Sequence, residues 1–130
     1  MNTGKTMHAT IWVIIVLSLA FTAYFLLKNG EPDALWWWPL GLLFFAWTCL
    51  PFALVIWFLR TNSESVRVLG VSFVTVAIMA IGGGFLLRDA FVVHLDPQSA
   101  LILVVLPFCQ LVIAGIGLAA ANAVNARTKT

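Results

Sequence analysis

The side chains that could do chemistry are few, and most fall in one short stretch: Arg88, Asp89, His94 and Asp96. An imidazole near a carboxylate can move protons near neutral pH, and His94 with Asp96 could share a metal ion. Two or three ligands without a fourth do not complete a structural metal set. The stretch therefore reads as a solvated loop, with Phe91, Val92 and Val93 dipping into a membrane interface, and no metal-ligating residue is assigned. Cys49 and Cys109 each lie inside an apolar run, at a spacing that matches neither a disulfide framework nor a thiolate metal site. They read as small packing residues. Gly82-Gly83-Gly84 lacks the Lys-Ser/Thr that follows a phosphate loop and sits in an apolar run, so it reads as a loosened stretch of helix. No serine has a recognisable base beside it. The expectation is a protein that is not an enzyme, with no catalytic residue and no cofactor.

The elements that hold these residues follow from composition. Of 130 residues, 62% are hydrophobic and 9% charged, against roughly 45–50% and roughly 25% in soluble domains. So short a chain could not hide that much apolar surface from water. A formal net charge of +2 is too small to suggest nucleic acid or another polyanion as partner. The partner implied first is the lipid bilayer.

A helix needs roughly 20 apolar residues to cross a bilayer. Four stretches qualify, at about 9–27, 35–59, 68–87 and 100–124, and none carries an internal charge. The runs are continuous, without the alternation a β-barrel requires. The expected fold class is all-α: an integral membrane protein, a compact bundle of four transmembrane helices with short loops, forming one domain over residues 1–130. A leader-like pattern, Lys5 followed by apolar residues to Ser18-Leu19-Ala20, continues apolar to Leu27, so the first span is read as retained.

Charge sets the orientation. Lys28, Glu31 and Asp33 mark the first loop, with Pro32 as a breaker; Arg60, Glu64 and Arg67 mark the second; the Arg88–Asp96 stretch, closed by Pro97, marks the third. Four spans put both termini on one side. That side and the second loop hold Lys5, Arg60, Arg67, Arg127 and Lys129, against Lys28 and Arg88 on the other. The positive-inside rule then predicts cytoplasmic N- and C-termini in a bacterial inner (plasma) membrane. His8 and His94 fall on opposite sides, so one chain cannot pair them across a haem.

Aromatic and small residues refine the bundle. Trp36, Trp37 and Trp38 at the start of the second span, with Trp12 and Trp57 near the inner ends of the first two, read as interface anchors. Only Trp47 falls mid-membrane. Gly115 with Ala119, Gly117 with Ala121, and Ala80 with Gly84 are small residues four apart, suited to close helix packing. They predict a seam within the bundle or a homo-oligomer or membrane-partner interface. Gln110, the strongest polar residue inside the fourth span, is expected to make an interhelical hydrogen bond. Pro51 and Pro107 each remove an N–H inside a span, freeing the carbonyls of Trp47 and Leu103, and predict kinks.

Length and span count resemble those of the small multidrug-resistance transporters. That family's membrane-embedded glutamate has no counterpart between Ala9 and Leu27, so the likeness stops at helix count. Coupled transporters usually bury an ionisable group; these spans hold none. The leading expectation is an accessory or structural membrane subunit acting through helix contacts. The alternative is a small transporter or oligomeric channel using the kinked spans.

Overall fold

The computed structural model describes residues 2–62, 65–94, 96 and 98–128. Glu64, Pro97 and Lys129 of the charge and breaker pattern lie outside the described residues. The described chain is all-helical, in the order α1 (Thr3–Asn29), α2 (Trp37–Asn62), α3 (Val66–Arg88) and α4 (Ile102–Thr128). A π-helical turn, Asp89–Val93, extends α3, and a short 3-10 turn, Ser99–Leu101, leads into α4. All four helices are long and apolar enough to cross a membrane.

Helix bounds differ from the apolar runs in a regular way. The first helix begins at Thr3 rather than near Ala9, and α4 continues past Val124 to Thr128. Apolar runs mark only the part matched to hydrocarbon, whereas backbone hydrogen bonding continues through adjoining polar turns. The second helix starts at Trp37 instead of Leu35 because the chain before it is a turn. Ala34 N–H donates to Glu31 O at 2.9 Å, and Trp37 N–H donates to Ala34 O at 3.1 Å. The third loop is shorter than expected, since the π-helical turn carries the chain to His94, whose N–H donates to Asp89 O at 2.8 Å.

Packing follows chain order only in part. The third helix packs most extensively on α4 and α1, and α2 packs mainly on α4. The consecutive pairs α1–α2 and α2–α3 touch more sparsely. Contacts fix the ends: Gly4 approaches Leu69, Gly70 approaches Met7, and Asn125 Nδ2 donates to Asn62 Oδ1 at 3.2 Å. The starts of α1 and α3 therefore share one end, called here the terminal end, with the finishes of α2 and α4. As a result α1 and α3 are parallel neighbours, as are α2 and α4.

Two apolar clusters fill the bundle. One, toward the terminal end, gathers Ile11 and Ile15 with Phe52, Val55, Leu59, Leu69, Val76, Met79 and Ala114. The other, toward the far end, joins Phe25, Leu87, Leu103 and Leu106. Outward faces are equally apolar: Leu17, Leu43, Ile81 and Ile116 are all more than half exposed. A water-soluble monomer rarely exposes that much contiguous apolar surface. The four apolar helices suggest a multi-pass membrane protein.

Candidate functional site

Between the two clusters, in chain order, each helix contributes a polar residue or a glycine. They are Thr22, Thr48, Gly83 and Gln110, all buried. Gln110 crosses the α3–α4 seam here: Nε2 donates to the main-chain oxygen of Met79 at 3.1 Å. In a regular helix that oxygen also accepts from Gly83 N–H. A Cβ at Gly83 would stand 2.7 Å from Gln110 Nε2, so glycine is what exposes the carbonyl to α4.

The triple glycine thus points three ways. An added Cβ on Gly82 would meet open space, on Gly83 it would strike Gln110, and on Gly84 it would touch Phe21 of α1 at 3.8 Å. The helix stays regular through all three, without the loosening the sequence suggests, because each glycine keeps its helical hydrogen bonds. Ala80 is half-buried one turn before Gly84.

The two overlapping small pairs of α4 separate by face. Gly117 presses on the Thr75 side chain, which an added Cβ would overlap, and Ala121 is fully buried. Gly115 and Ala119 are exposed, and an added Cβ on Gly115 would meet nothing. Within this chain Gly115 and Ala119 pack no seam, since the angular step between positions 115 and 117 turns them off the α3 side.

Most buried hydroxyls are satisfied inside their own helices. Thr22 donates to Ser18 O at 3.0 Å, Thr48 to Phe45 O at 2.7 Å, and Thr75 to Val71 O at 2.8 Å. Ser72 Oγ is the exception among the described residues, buried without a hydrogen-bond partner.

Pro51 and Pro107 are both fully buried, and α2 and α4 run continuously through them. Beside Pro107 sits a contact the sequence did not reveal. Trp47 Nε1 donates to Val104 O at 3.2 Å, and its ring meets Phe108 edge-on at 4.8 Å. An indole N–H in a span needs an acceptor, and the Val104 carbonyl, one residue past the Leu103 carbonyl that Pro107 leaves without its helical donor, supplies one. The sequence places Trp47 mid-span, and nothing in it says which carbonyl the indole would reach.

The tryptophans divide. Trp12, Trp36, Trp38 and Trp57 are exposed, and Trp38 Nε1 donates to Pro32 O at 2.9 Å. Trp37 is only 8% exposed, its indole wedged against Gly30 and Gly41. It is a packing residue rather than an anchor, because two glycines open a slot that the large ring fills.

The third loop forms a local network. His94 Nδ1 lies 3.1 Å from Asp89 Oδ1, Ser99 Oγ donates to His94 O at 3.1 Å, and Asp96 N–H donates to Ser99 Oγ at 3.1 Å. His94 and Asp96 are exposed, and Phe91 turns inward to stack on Phe25 at 5.8 Å. Among the described residues, no three His, Cys, Asp or Glu side chains gather where they could hold a metal ion.

Charge differs between the ends, although Lys28 and Arg88 lie at the far end. The terminal end holds Lys5, His8, Arg60, Arg67 and Arg127, while the described acids Glu31, Asp33, Asp89 and Asp96 all lie at the far end. At the terminal end a cavity of about 450 Å³ opens between α1 and α3, lined by Asn2, Gly4, Lys5, His8, Ala9, Val66 and Leu69. His8 also borders a crevice toward α2, with Trp12 and Arg60 on its walls. Comparison of the chain with protein-family models, curated proteins and solved structures finds no match.

Proposed function

We propose that this protein is a multi-pass inner-membrane subunit, both termini cytoplasmic, that works through helix–helix contacts rather than catalysis. One observation carries the reading: α4 uses Gly117 and Ala121 inside the bundle but turns Gly115 and Ala119 outward. Lipid offers helices no hydrophobic drive to associate, so small residues that let backbones approach are a main route to assembly. The outward pair can receive a helix from a second copy or another membrane protein. The interior supports the same reading, since Thr22, Thr48, Thr75 and Gln110 all spend their polar groups on helix backbones.

Native mass spectrometry after gentle detergent extraction tests this. A stoichiometric complex, with itself or with another membrane protein, is expected. Extraction solely as a free monomer overturns the proposal. Movement of an ion or small solute into liposomes by the purified protein would overturn it in favour of the transporter alternative.

A further inference from the structure

The cavity at the terminal end combines features that a packing subunit does not need. Lys5 and His8 bring an ammonium and an imidazole to one space, Asn2 adds a carboxamide, and Val66, Leu69 and Ala9 supply apolar walls. At about 450 Å³ it falls within the usual range of roughly 300–1,000 Å³ for small-ligand sites. Arg60 adds a further cation beyond His8, and Trp12, an exposed indole, lies in that same crevice.

We propose that this cavity binds the phosphate-bearing headgroup of an anionic phospholipid. Lys5 provides the charge, His8 and Asn2 provide hydrogen bonds, and the glycerol and upper acyl chains lie along Val66 and Leu69. A cation next to apolar walls at the end of a long apolar helix matches an amphiphile with a negative head better than it matches a free anion. Basic groups on the cytoplasmic face of a membrane attract anionic lipids, by about fivefold in affinity for each Lys or Arg near the surface. This assignment rests on the membrane reading above.

The test uses the full-length protein in vesicles of equal phosphatidylglycerol and phosphatidylcholine, washed at alkaline pH, extracted in mild detergent and weighed intact with its retained lipid. Phosphatidylglycerol should be retained over phosphatidylcholine. Lys5→Gln should lower that retention about fivefold, Lys5→Arg should preserve it, and Lys28→Gln at the far end should leave it unchanged. Equal retention of both lipids, or retention indifferent to Lys5→Gln in a variant that melts normally, overturns the proposal. Displacement of the lipid by millimolar inorganic phosphate also overturns it, assigning the cavity to a free anion. Release of the protein by the alkaline wash overturns the membrane reading together with the site, whereas firm insertion without lipid preference overturns the site alone.

Discussion

Gln110 and Met79 are joined across the α3–α4 seam, side-chain Nε2 to main-chain oxygen at 3.1 Å, in the space that Gly83 leaves by having no Cβ. The three residues form one device. The amide needs an acceptor, the acceptor is a carbonyl already inside a helix, and only a glycine one turn later leaves it approachable.

That interdependence predicts strong coupling. Gln110→Ala should cost about 0.6–2 kcal/mol, the range for interhelical hydrogen bonds in membranes. Gly83→Ala alone should cost about 1–3 kcal/mol by forcing Gln110 aside. With Gln110→Ala in the background, Gly83→Ala should become nearly harmless. Thermal unfolding in detergent, run as a double-mutant cycle, checks this; strictly additive costs would show that Gly83 does not act through Gln110.

The two faces of α4 predict opposite phenotypes. Gly117→Leu drives a side chain into Thr75 and should lower stability by about 1–3 kcal/mol. Gly115→Leu enters open space and should leave the melting temperature of the isolated chain unchanged while weakening association. Melting curves paired with native mass spectrometry separate these effects. A Gly115→Leu chain that associates as well as the parent would remove that face from the interface.

Trp36 and Trp37, adjacent in sequence, should behave differently. Trp37→Ala empties the slot between Gly30 and Gly41 and should cost about 3–5 kcal/mol, as large core truncations do. Trp36 is 63% exposed, so Trp36→Ala should stay within about 0.5 kcal/mol. Thermal melts of the two variants in one detergent decide it, and equal shifts would mean that Trp37 is not a core residue.

What was legible in the sequence follows from what apolar periodicity encodes. Charge-free runs separated by Lys28–Asp33, Arg60–Arg67 and Arg88–Asp96 locate four helices, because removing charge from hydrocarbon is a strong and local constraint. Helix adjacency is not local. Nothing in the loops says that α3 packs most closely on α4 and α1 and only sparsely on α2. The same gap explains the small-residue pairs: spacing by four marks a face without naming the neighbour, so Gly117 and Gly115 look alike until α3 is in place. Gln110 was identifiable as a hydrogen-bonding group, but its acceptor depends on which of three consecutive glycines faces α4. Trp37 was unreadable as a core residue because its slot is made by glycines at positions 30 and 41.

Orientation is open to direct labelling. The proposed topology predicts Asp33 outside and Ser65 inside, from Lys5, Arg60, Arg67, Arg127 and Lys129 against Lys28 and Arg88. With Cys49 and Cys109 replaced by alanine, a single cysteine can be placed at either position. Neither Asp33→Cys nor Ser65→Cys removes a basic residue, and acids weigh little in orientation, so the determinant stays intact. A membrane-impermeant maleimide added to intact spheroplasts should label Asp33→Cys, and should reach Ser65→Cys only after permeabilisation. The opposite pattern would place the termini outside and move the Lys5–His8 cavity away from the leaflet that carries the anionic surface potential. Labelling of both positions without permeabilisation would contradict α2 as a membrane span, because that helix separates them.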